Sequence, residues 1–283
     1  MCLVSVIIPT FNDDERLQLC LNALARQNIE DKSYEVIVVN NSKNSLSVNL
    51  PASNFYVFEE PRPGSYAARN LGIFHAKSDI LAFTDSDCIP ECDWIVKGIK
   101  ALKENGLERV AGKIIVFPRG EKMSAVECYE KIFAFDQESN AKQGVSVTAN
   151  LFIHRKAFNE VGLFNHDLLS AGDVEWNKRA TNSGLSLKYV DDVIVYHPAR
   201  HSWAELAKKI RRTTGGKLSV DQSYKLSMLR SLFPPVAAVR NISKSNESMR
   251  TKFLASFIAY RVKLEKFVAF RKLRSDSSTP EGF

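Results

Sequence analysis

Two spacings of apolar residues alternate along the first half of the chain. Short β-branched runs occupy residues 3–8, closed by Pro9, then 34–39 and Ile80–Thr84, with a weaker run at 54–58. Each has the length of a buried strand. Between them, leucines at 17, 21 and 24 predict a helix over 16–27, and further helical spacing covers 65–76 and 93–103. On the last of these, Ile95, Ile99 and Leu102 share one face. This order of elements predicts an α/β domain with a mostly parallel sheet. Ligands bind such sheets at the C-terminal strand ends. There the chain carries Pro9, Thr10 and Asn12, then Asn40 and Asn41, then Asp85 and Asp87.

The middle of the chain is more mixed. Strands are expected over 110–116 and 145–153, around a helix over 125–135. A helix is expected over 174–183, and two short strands over 187–195, broken by Asp191 and Asp192. After His201 the strand signals stop. Helices are expected over 202–212 and 253–270, and the tail after Arg274 as a frayed end. The division that follows is a sheet domain over 1–200 and a helical extension over 201–283.

Charge sharpens that division. Residues 1–200 hold 22 basic and 26 acidic side chains, whereas 201–283 hold 17 and 6. A basic extension calls for an anionic partner or for water. The whole chain of 283 residues is 45% hydrophobic, which excludes disorder and collagen-like repeats. No apolar run approaches the ~20 residues of a membrane span. The N-terminus has no basic region ahead of its apolar run, so no secretory signal is read there. Five scattered cysteines suit reduced thiols better than a disulfide framework. Together these point to a cytoplasmic protein.

Missing glycines narrow the ligand. No two of the 13 glycines are separated by a single residue, so the dinucleotide fingerprint is absent. The Gly215-Gly216-Lys217 triplet fails as a P-loop, because Arg211 and Leu218 replace its first glycine and its hydroxyl. A bound nucleotide would need another counter-charge, and a divalent metal is the obvious one. Asp85 and Asp87 close the Ile80–Thr84 run and offer hard oxygen ligands suited to Mg²⁺ or Mn²⁺. By spacing alone the same pair also fits a helix-capping loop.

Their neighbours decide between these. VSVIIPTFN, EVIVVNNS, PGSYAARNLGIFHAKSDILAFTDSD, TANLFIHRKAFNEVGLF and SAGDVEWNKRATNSG follow one another over residues 3–200. In that order they resemble the family 2 glycosyltransferases, inverting enzymes of the GT-A fold. The resemblance implies a Rossmann-like nucleotide-diphospho-sugar transferase sheet flanked by helices, with the C-terminal helical extension added. It implies that Pro9, Thr10, Asn12, Asn40, Asn41, Arg69, Asp85 and Asn150 contact the donor. Asp87, with Asp85 and His197, would hold the metal. Asp173 would be the general base, with Glu175 as a second candidate, and Trp176 an acceptor platform. By spacing alone, Asp173 is a helix N-cap, Asn150 a structural hydrogen bonder and Trp176 a packing residue. Two departures stand out: Asn40-Asn41 replaces the usual acids, and Gly172 replaces the first acid of a Glu-Asp pair.

The implied reaction moves a sugar from a nucleotide-diphosphate donor to a hydroxyl of a glycan or lipid-linked glycan, in bacterial surface polysaccharide or glycan assembly. A nucleotidyltransferase and a silent nucleotide- or glycan-binding subunit are the rivals. For the basic extension three readings compete: a helix docking on an anionic membrane at its inner face, a solvated helical bundle closing the active site with Arg and Lys on the diphosphate or an acidic acceptor, and nucleic-acid binding by the basic patch. No nucleic-acid module is seen, and nucleic acid is not expected as a partner.

Overall fold

The apolar runs form the strands of one eight-stranded sheet in the computed structural model, which describes residues 2–104, 106–220 and 234–275. The strands are β1 (Val4–Thr10), β2 (Tyr34–Asn40), β3 (Phe55–Glu59), β4 (Ile80–Thr84), β5 (Ile89–Pro90), β6 (Arg109–Phe117), β7 (Asn150–His154) and β8 (Leu187–Pro198). The helices are α1 (Asp14–Leu24), α2 (Ser65–His75), α3 (Trp94–Glu104), α4 (Ala125–Phe133), α5 (Gln137–Lys142), α6 (Lys156–Val161) and α7 (Gly172–Asn182). After the sheet come α8 (Trp203–Val220), α9 (Val236–Lys244) and α10 (Met249–Ser275). The expected frayed tail lies almost wholly outside the described residues. Among the described residues no helix is long and apolar enough to cross a membrane.

The sheet order is β3-β2-β1-β4-β7-β6-β8-β5. The first four strands are parallel neighbours, while β7 runs antiparallel to β4 and β6, and β5 antiparallel to β8. The sheet is therefore mixed, and parallel only in its N-terminal half. Pro9 lies inside β1, because pairing with β4 ends at Ile7, before the missing N–H is reached. β8 runs unbroken through Asp191 and Asp192, whose side chains stand in solvent. β7 starts later than its apolar run. The Gln137 side chain holds Ser146 and the Val147 N–H, which takes that stretch out of the ladder.

The chain divides into two units. One comprises Met1–Ile115 and Asp136–His197, the other Val116–Phe135 and Pro198–Phe283. The helical unit is thus more than a tail, since it includes α4. In the sheet unit, Ile7, Ile37, Phe83, Leu151 and Trp176 share a core. In the helical unit, Val126 of α4 packs with Leu206 and Ile210 of α8 and Ile258 and Val262 of α10. Cys128, Ile242, Ala255 and Ala259 form a second cluster. Ser124 and Glu127 close a reciprocal capping box on α4. Beneath it Glu130, 1% exposed, accepts from Arg200 at 2.9 Å and Lys209 at 3.0 Å.

Candidate active site

β4 delivers its two acids to the sheet's C-terminal edge, as Ile80–Thr84 is wholly buried and the chain turns outward after it. Asp85 does not stand alone. Arg69 of α2, almost fully buried, places Nη2 2.6 Å from its Oδ1. The Arg69 Nε has no partner, an orphaned donor inside the site. Asp87 faces a different set. His197, at the end of β8, brings Nε2 to 3.5 Å from Oδ1, and Arg16 of α1 comes within 3.7 Å of Oδ2.

Ligand atoms of Asp87, Cys88 and His197 lie within 4.8 Å of one another. A carboxylate beside an imidazole is a donor pair that fits a divalent cation. Asp85 contributes less directly, because one of its oxygens is engaged by Arg69. Cys88 is the weakest of the three, since burial and then the Asp85 and Asp87 charges push its thiol well up.

Asp173 sits in the first turn of α7, behind Ala171, whose φ of 64° is left-handed. Such a conformation is uncommon outside glycine and stores local strain. The helix begins at Gly172, so Asp173 lies inside it and is not its N-cap. Its Oδ1 accepts from the Tyr66 hydroxyl at 3.2 Å and from the Val174 N–H at 2.9 Å. Gly172 makes that approach possible: a Cβ there would lie 2.7 Å from the Tyr66 ring. The missing first acid has thus given its space to an aromatic ring. Burial raises the Asp173 pKa, against the lowering effects of Arg69, Val174 and Tyr66. Its carboxyl holds a proton more readily than an ordinary aspartate does.

Several expected contacts are corrected by the structure. Trp176 is 0% exposed, stacks among Phe158 and Phe164, and donates its indole N–H to the Gly162 carbonyl at 2.7 Å. It has no face for an acceptor. Asn150 is equally buried. Its Oδ1 accepts from Trp94, and its Nδ2 donates to the Lys113 and Val193 carbonyls. Asn41 donates to the Glu60 and Arg62 carbonyls and accepts from the Gly64 N–H. It braces a loop and has little left for a base. Glu175 is bound at two points by Arg179, one turn on, and is not poised as a base.

Of the remaining donor-side residues, Asn12 and Asn40 line a cleft of about 400 Å³, together with Asp13, Asp14, Glu15 and Ser42 among others. Asn40 shapes its rim by donating to the Asn44 carbonyl and accepting from the Ser42 N–H. Asn12, at a left-handed φ of 50°, accepts from Ser42 and Asn44. Thr10 is buried with an unpartnered hydroxyl. Pro9 is buried within β1. Tyr66 and Arg16 were not singled out from sequence. Tyr66 stands three residues before Arg69, which places both on one helical face, and that was the available signal.

The model of the family described as "Glycosyl transferase family 2" matches residues 5–162. Glycosyltransferase AglE of Haloferax volcanii is 38% identical over 236 residues, 80% of this chain and 77% of that protein. Two solved structures share the fold at low identity. A mannosyltransferase of Pyrobaculum calidifontis, in complex with GDP-Man and Mn²⁺, aligns at TM-score 0.57 and 16% identity, over 98% of this chain and 76% of that one. TarS of S. aureus aligns at TM-score 0.53 and 14% identity over 99% of this chain, which spans 56% of its length. The chain belongs to glycosyl transferase family 2, and the sheet with its carboxylate edge is the framework of a transferase enzyme. A nucleotidyltransferase is set aside by that membership.

Proposed function

We propose that the protein transfers a sugar, with inversion, from a nucleotide-diphosphate donor to a hydroxyl of a glycan or lipid-linked glycan. The observation that carries this reading is the crowding of carboxylates at the strand ends. Asp85 and Asp87 follow β4, the Asp173 carboxyl of α7 lies within electrostatic reach of Asp85, and one buried arginine pairs directly with Asp85. Asp87 and His197 would hold a divalent cation, which when bound supplies positive charge opposite a departing diphosphate. Thr10, Asn12 and Asn40 border the donor's nucleoside, and Arg69 supports Asp85 beside it.

Asp173 takes the proton of the acceptor hydroxyl as that oxygen bonds to the anomeric carbon. The bond from that carbon to the diphosphate breaks on the opposite face, and the nucleoside diphosphate leaves. A carboxylate whose pKa is drawn toward working pH is a better base than one held far below it. Assembly of surface polysaccharide or a related glycan, in the cytoplasm, is the setting that family membership favours.

Thermal unfolding against a panel of nucleoside diphosphates, with and without Mn²⁺, tests the donor side without an acceptor. Binding to the native state raises the melting temperature by mass action. One diphosphate should stabilise the protein only with metal, and Asp87→Ala should remove that dependence. A folded protein that responds to none of them would favour a silent binding subunit.

A further inference from the structure

α10 is apolar on two opposite faces, and among the described residues only one of them is covered. Ala255, Ile258, Ala259 and Val262 pack inside the helical unit. On the other side Met249, Phe253, Phe257, Tyr260, Leu264 and Val268 follow at steps of four and three residues, and all are exposed, Met249 by 81% and Phe253 by 76%. Those steps keep one face of a helix, so the row runs unbroken for about 28 Å. Single exposed apolar side chains are ordinary, but a continuous row marks a binding surface.

Charge identifies the occupant. Over 249–275 the helix carries eight basic residues and one acid, Glu265, which Arg211 already holds at 2.6 Å. Five of these basic residues border the apolar row. Arg250, Arg261 and Lys272 recur every 11 residues along one edge, and Lys252 and Lys263 repeat the same interval along the other. Eleven residues make about three helical turns, so each set stays on its own edge. Arg261 also covers the Trp203 ring at 3.9 Å, which steadies that edge. An apolar stripe between two basic edges is the pattern of a helix lying in the plane of a lipid interface. Its aromatic row enters the acyl boundary while the cations meet anionic headgroups. A nucleic-acid backbone would satisfy the charges and leave the stripe in water.

We propose that this face of α10 docks on an anionic lipid surface. The proposal concerns the helical unit and stands independently of the donor chemistry. Co-sedimentation of the full chain with vesicles of phosphatidylcholine, or of phosphatidylcholine with about a third phosphatidylglycerol, tests it. Binding is expected only to the anionic vesicles, weakening as salt screens the contact. The double substitution Phe253→Glu with Phe257→Glu should cut vesicle partitioning at least tenfold. Both side chains are exposed, so the melting temperature and any diphosphate-dependent shift should be unchanged. Phe74→Glu, an exposed aromatic of the sheet unit, should leave partitioning as it was. Arg250→Glu with Lys272→Glu should weaken binding to the anionic vesicles, so the charged edge is tested apart from the stripe. Absence of vesicle binding, or full binding by the Phe253/Phe257 variant, would overturn the proposal. So would light scattering that shows a dimer converted to monomer by that variant, since a second copy would then be the occupant.

Discussion

The two units treat buried charge in opposite ways. In the helical unit Glu130 is enclosed, and two cations meet its two oxygens. Glu127 is likewise answered, by the Ser124 and Arg119 N–H groups and by His201 at 3.2 Å. At the edge of the sheet unit the arrangement stays incomplete. Arg69 is committed to Asp85, Asp87 looks toward an imidazole and a largely exposed arginine, and Asp173 receives neutral donors. A buried acid with matched cations has its desolvation offset by them and has little left to offer. Acids held together without enough counter-charge are kept at some expense to stability, which is the usual condition of a binding site.

The contrast breaks first at Asp173. Asp173→Asn keeps the size and the Tyr66 contact but loses the proton acceptor. It should lower kcat by about 10²–10⁴-fold, with diphosphate-dependent stabilisation retained. Full activity in that variant would mean that the unmatched acid is not the base. The next test sets one unit against the other. Glu130→Gln leaves Arg200 and Lys209 without their counter-charge and should cost about 3–5 kcal/mol in denaturant unfolding. Asp87→Ala, measured without metal, should leave stability unchanged or higher, because it removes surplus negative charge. A similar loss in both variants would erase the distinction.

The smallest effect separates two acids of the same unit. The Ser186 hydroxyl, with the Ser186 N–H and Lys156 assisting, holds the Glu108 carboxyl down to about 2. Asp173 is displaced upward by burial. A lowered folded pKa contributes stability that is present above the unfolded value, about 4.3, and is lost as pH falls through the folded one. Glu108 therefore supports the fold above about pH 4.5 and ceases to do so near pH 2. Asp173 acts in the other sense, and protonation relieves its cost. Ser186→Ala should reduce stability at pH 6 by about 1.5 kcal/mol and flatten the acid limb of a urea-unfolding series.

Much of the sheet was legible because burial on both faces leaves a plain apolar run. Ile80–Thr84 was readable to the residue, and α2 and α7 to within two. What failed was direction. Residue type told that Asn41 and Asn150 hydrogen-bond and that Trp176 needs partners. It did not tell that those partners are carbonyls inside the protein. The adjacent aspartates of β8 looked like a break, because a solvent-facing strand tolerates charges that a buried one excludes. Tyr66 escaped notice because its role depends on a ring settling over Gly172, more than a hundred residues away. The α4 segment carries no change in composition, so its membership in the helical unit shows only in its packing partners.

That membership has a practical meaning for anyone trimming the gene. Cutting after residue 200 would look like removing a tail. The product would still contain α4, with Val126 and Cys128 stripped of α8, α9 and α10, and with Glu130 left to a single arginine. Such a fragment would present a sticky, charged helix to its own kind and precipitate. A clean excision would also have to remove 116–135 and rejoin Ile115 to Asp136. For the same reason, two simultaneous edits are needed to gain or lose the helical unit whole. Its sequence should therefore drift together with the insert and not as an interchangeable appendage.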